Sequence, residues 1–84
     1  MKKRIHKYEI YLGDNNLRCN GAPMAVLHAA YQGNRLMVWI EVDEDKQGAD
    51  ILILTLPTGA DVPLTATHVS TVLSGAFVWH VYHM

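Results

Sequence analysis

The stretch AVLHAAYQGNRLMVWIEV, residues 25 to 42, constrains the fold more than any other part of the chain. Gly33-Asn34 suits a two-residue hairpin turn with glycine at its first central position. With that turn, residues whose numbers sum to 67 lie opposite each other. Tyr31 then faces Leu36, Ala29 faces Val38, Leu27 faces Ile40 and Ala25 faces Val42. All eight are apolar and fall on one face, an agreement of turn and pattern that chance seldom produces. The other face pairs Gln32 with Arg35, Ala30 with Met37, His28 with Trp39 and Val26 with Glu41. A helix over residues 23–31 is the competing reading, because Ala, Met and Leu favour it. The strand is preferred, since the hairpin accounts for both arms together.

The end of the chain repeats the logic. HVSTVLSGAFVWHVY, residues 68 to 82, holds Ser74-Gly75 between two runs rich in β-branched and aromatic side chains. A turn there sets Leu73 against Ala76, Val72 against Phe77, Thr71 against Val78 and Ser70 against Trp79, with His68 across from Val81. Between the hairpins, ADILILTLP reads as a strand buried on both sides and stopped by Pro57 and Gly59. RIHKYEIYL reads as a first strand closed by Gly13-Asp14-Asn15-Asn16, with a short second strand over Leu17 to Asn20 before the Gly21-Ala22-Pro23 bend. The expectation is an all-β single domain over residues 1–84: six or seven short strands in an antiparallel meander, forming a small barrel or a two-layer sandwich.

At 84 residues the chain buries only about 60 to 65% of its unfolded surface, so its core is small. Half of the residues are hydrophobic, which argues against disorder. The formal charge of −1 supplies no broad field for nucleic acid or anionic lipid. Lys2, Lys3, Arg4 and Lys7 form a basic start, read as a frayed, solvated terminus, and Glu41, Asp43, Glu44 and Asp45 form an acidic run. No apolar stretch follows the basic start, so neither a signal peptide nor a membrane span is expected. Cys19 is the sole cysteine, which leaves no internal disulfide and fits a reducing cytoplasm.

Two strands carry apolar side chains on both faces. Phe77, Trp79 and Val81 point one way, and Val78, His80, Tyr82 and Met84 the other; Ile51, Ile53 and Thr55 likewise oppose Leu52, Leu54 and Leu56. So short a chain has limited means of covering both, which predicts a homo-oligomer with a dimer favoured. His80 and His83 fall on opposite faces, so they do not share a metal, and no metal or cofactor is expected. Residues 56–61 lack the spacing and lysine of a phosphate loop, and no Gly-x-Ser-x-Gly elbow occurs, so no enzyme is expected. The opposed pair His28 and Trp39 suits stacking a planar ligand, but a structural cross-strand pair is the preferred reading.

The order of motifs resembles a family of short uncharacterised tailed-bacteriophage accessory proteins. The likeness rests on Ile5-His6-Lys7-Tyr8, the Gly21-Ala22-Pro23-Met24 bend, Val38-Trp39, the Pro57-Thr58-Gly59 turn, and the closing Val78-Trp79-His80-Val81-Tyr82 strand. It covers nearly the whole chain; His6 stands where an aromatic is common, the Thr-Gly turn lacks a preceding Gly, and His83 and Met84 extend the end. The resemblance implies an accessory protein in the bacterial host cytoplasm, with no chemistry to transfer. The leading expectation is a non-enzymatic protein that binds and blocks a host factor, such as an antiviral-defence component, through Met37, Trp39, Trp79, His80 and Tyr82. The alternative is an oligomeric binder sequestering a small nucleotide-like ligand with His28, Trp39 and Arg35. A minor virion structural protein is a further alternative.

Overall fold

A computed structural model describes residues 1–84 as seven β-strands with no helix. They are β1 (Lys3–Ile10), β2 (Gly13–Arg18), β3 (Ala22–Gln32), β4 (Arg35–Asp43), β5 (Asp50–Pro57), β6 (Thr67–Ser74) and β7 (Phe77–His83). Every pairing is antiparallel, in a three-stranded sheet of order β1-β4-β3 and a four-stranded sheet of order β2-β5-β7-β6. The fold class is therefore the expected all-β one, and residues 23–31 are strand, not helix. The arrangement fits a two-layer sandwich, and no closed barrel forms. A simple meander does not describe it, because among consecutive strands only β3-β4 and β6-β7 are neighbours.

β4 is the centre of the first sheet, and its alternation builds the core: Leu36, Val38, Ile40 and Val42 point inward. They meet Ile10 of β1, Ala29 of β3, Ile53 of β5, Val72 of β6 and Val81 of β7, with Cys19 beyond the end of β2. The expected double burial of β5 holds at its middle, where Ile53, Leu54 and Thr55 are 0%, 4% and 1% exposed in succession. β5 lies between β2 and β7, so both of its edges are paired within the sheet.

The Gly33-Asn34 hairpin forms with the expected register from Gln32↔Arg35 to His28↔Trp39. Beyond that the register slips twice, at Leu27 and Met24, so Val26 opposes Ile40 and Ala25 opposes Glu41. The expected pairs Leu27–Ile40 and Ala25–Val42 do not occur. Each slip inserts one unpaired residue and exchanges the faces of everything before it. Val26 thus packs on the core while Leu27 is 47% exposed. β3 is a sheet edge containing Pro23, the setting in which bulges are common.

The second hairpin turns one residue later than expected. Its central pair is Gly75-Ala76, with Ser74 opposite Phe77, Leu73 opposite Val78, Val72 opposite Trp79 and Thr71 opposite His80. Gly75 has φ 59° and Gly33 has φ 61°, so both turns place glycine first, where φ is positive. A bulge at Val69 then sets His68 opposite Tyr82, not Val81.

The expected turn at residues 13–16 is strand β2. The reversal lies just before it, and Asn15 holds it from inside. Asn15 Oδ1 accepts the Tyr11 N–H at 2.8 Å, and its amide donates to the carbonyls of Tyr11 at 2.8 Å and Gly13 at 3.2 Å. The basic start is ordered rather than frayed. Lys2, Lys3 and Arg4 lie against Glu44, Glu41 and Glu44 at 3.8, 3.7 and 3.1 Å. The basic and acidic runs thus neutralise each other across β1 and β4.

Candidate binding surfaces

The seven candidate residues divide among three places. His28, Arg35, Met37 and Trp39 share the outer face of the first sheet. His80 and Tyr82 lie on the outer face of the second, and Trp79 on its inner side near the turn end. The fold therefore does not bring all seven together.

On the first sheet, Trp39 sits between its cross-strand partners His28 on β3 and Lys7 on β1. The His28 and Trp39 rings are stacked, with centroids 6.1 Å apart and planes at 28°. Lys7 Nζ donates to Gln32 Oε1 at 2.8 Å, a bond that carries the lysine side chain from β1 over β4 to β3. Met37 is buried although it faces outward, as expected beneath such a stem. Arg35 is exposed at the hairpin end of the same face. The outcome is a shelf with an aromatic centre and cationic groups on two sides.

His28 is oriented from outside its own sheet. The buried Ser70 of β6 accepts the Ala29 N–H at 2.9 Å, and its hydroxyl lies 3.1 Å from His28 Nδ1. A serine hydroxyl has two acceptor lone pairs and one donor hydrogen, so Ser70 holds the Ala29 N–H and the His28 ring at the same time. The sequence pattern paired His28 with Trp39 correctly. Ser70 was missed, since nothing in sequence marks a serine 42 residues away as its partner.

On the second sheet, His80 bonds through both ring nitrogens, to Thr58 Oγ1 at 2.8 Å and Thr71 Oγ1 at 3.2 Å. Thr71 Oγ1 also lies 3.0 Å from His68 Nε2, and the His68 ring meets Tyr82 edge-on at 5.3 Å and 74°. Thr58 begins the link from β5 to β6, and those two strands are parallel because each is antiparallel to the β7 between them. That link must run the length of β7, and Thr58 ties its start to the outer face. Leu52, Leu56, Val78 and Tyr82 on this face are half-buried. Trp79 stacks with the exposed Phe77 at 5.9 Å and 15°, beside a cleft of about 270 Å³ that Pro57 and Thr58 also line.

His83 lies on the face opposite His80, as alternation requires, and no group of three or more metal-ligating side chains forms. The chain has no helix long and apolar enough to cross a membrane. Cys19 is buried, and its N–H donates to Ala49 O at 2.9 Å. Burial pushes its thiol pKa up, and Asp50 adds to this, while a Tyr8 hydrogen bond and Arg18 pull the other way. A thiol held protonated is a poor nucleophile.

No curated protein and no solved structure matches the chain. A family model described as a domain of unknown function, DUF7352, matches residues 1–84, and the chain belongs to that family.

Proposed function

We propose that the chain is a non-enzymatic, self-associating accessory protein of a tailed bacteriophage, which acts in the host cytoplasm by binding and blocking a host factor. The observation that carries this reading is the shelf around Trp39. An indole on the outer face of a three-stranded sheet, with Met37 and His28 beside it and Lys7 and Arg35 at its margins, has the composition of a binding hot spot: an aromatic anchor ringed by polar groups. The phage setting comes from the order of motifs along the sequence. Trp39→Ala tests the reading in a phage-fitness assay against a host carrying the blocked factor. Loss of fitness with an unchanged circular-dichroism spectrum supports it; a folded variant with full fitness removes Trp39 from the binding surface.

A second reading has its own observation. The Ser70 hydroxyl engages His28 Nδ1, and the ring it holds is stacked with the Trp39 indole. That arrangement suits a planar, nucleotide-like ligand, with Arg35 supplying positive charge. Native mass spectrometry of protein purified gently from bacterial cytoplasm separates the two readings. An added mass of a few hundred daltons per site favours the ligand; bare protein favours the host factor.

A further inference from the structure

We infer that the turn-bearing end of the sandwich is where a second copy of this chain docks, about a two-fold axis, with Arg35 of each copy on Glu9 of the other. The inference rests on the self-association reading above and assigns its surface.

The two ends of the molecule differ in how their charges are used. β1 ends and β2 begins at the same end as both hairpin turns and the exit from β5. The five ion pairs and the His6–Glu44 contact lie toward the opposite end, among residues 1–6, 18, 41–45 and 50. At the turn end, Glu9 and Arg35 line one hollow of about 200 Å³ with Tyr11 and Tyr31. Glu9 lies opposite Met37, two residues along β4 from Arg35, so both charges share the outer face. Neither enters an ion pair, with the other or with any further residue. A patch holding one free charge of each sign is complementary to itself, as a two-fold interface requires.

The apolar surface at this end points the same way. Tyr11, Leu12 and Phe77 are 66%, 56% and 64% exposed. With about 150 to 250 Å² for a large aromatic and somewhat less for a leucine, these three leave on the order of 300 Å² of apolar area in water. That is over a third of the ~800 Å² that each partner buries in a stable pair. The rim bearing Glu9 and Arg35 supplies the remainder.

The test is sedimentation velocity on the full chain, with a crossed mixture of charge variants. Glu9→Arg and Arg35→Glu each put like charges against each other in a homodimer and weaken it by about tenfold or more. An equimolar mixture of the two restores opposite charges only in the heterodimer, so recovered dimer in the mixture supports the inference. Phe77→Ser, the loss of an exposed side chain, weakens the dimer without any charge change. Dimers unchanged by Arg35→Glu and Phe77→Ser, or a mixture that stays monomeric, overturn this surface and leave self-association standing. A wild-type monomer at all concentrations overturns both.

Discussion

Ser70 Oγ accepts the backbone N–H of Ala29 at 2.9 Å across 41 residues of sequence, and this bond joins the edge of one sheet to the edge of the other. β3 and β6 share no backbone ladder, so a side chain stands in for the missing strand partner. Both residues are buried, and an unpaired N–H there has no water to turn to. Ser70→Ala removes that acceptor. It is expected to lower stability by about 1 to 3 kcal/mol in urea denaturation. An unchanged midpoint and slope show that the seam closes without the hydroxyl.

Thr55 carries the opposite situation. Its hydroxyl is buried on the inner side of β5 and has no hydrogen-bond partner. Burying a hydroxyl without compensation costs about 1 to 3 kcal/mol. Thr55→Val keeps the branched shape and removes the polar atom, so it is expected to raise the thermal midpoint by several degrees. A lowered midpoint in a scanning calorimeter means that the hydroxyl is satisfied in solution.

Asp43 links stability to acid. Burial alone pushes its carboxyl pKa up, but the N–H groups of Asp45 and Lys2, the N-terminal ammonium and Lys46 outweigh that and hold it below the ordinary value. The unfolded chain, with a carboxyl near about 3.9, therefore takes up the proton first as pH falls. The stabilisation is present in full above that value and is lost as pH drops through the lower folded value. Asp43→Asn is expected to be less stable than wild type near neutral pH, with the gap closing below about pH 4. A gap that stays constant from neutral to acid pH, in midpoints followed by circular dichroism, removes Asp43 as the source.

Cys19 is both buried and held protonated by its burial. Its reaction with a disulfide reagent in native buffer is expected to be slower than in urea by about a hundredfold or more, because thiolate and access are both needed. Equal rates in the two conditions mean that the segment after β2 opens freely.

Much of the fold was legible because local chemistry specified it. Glycine in the 33–34 turn and alternation along β4 gave the first hairpin, its inward face and the His28–Trp39 pair, since a two-residue turn fixes register. β5 was legible for a different reason: an unbroken apolar run has no solvent face to offer. The slips came where one residue decides the register. Reading Gly75 as second in its turn, when a positive φ calls for it first, displaced every partner of β7 on β6. The bulges at Met24, Leu27 and Val69 leave no local signature, because an unpaired residue is defined by the strand beside it.

The sequence by itself determined the strand character, the two turns and the apolar faces that make a β-sandwich core, because these follow from φ preferences and period-two patterning within a few residues. Only the tertiary structure decided that β1 pairs with β4 and not with its neighbour, that the basic and acidic runs meet, and that Ser70 reaches Ala29 and His28. Those contacts join residues about 40 apart, and their energy depends on which edges and faces are left after the nearer pairings form. Seven candidate residues therefore divided among three surfaces, although the chain placed several of them side by side.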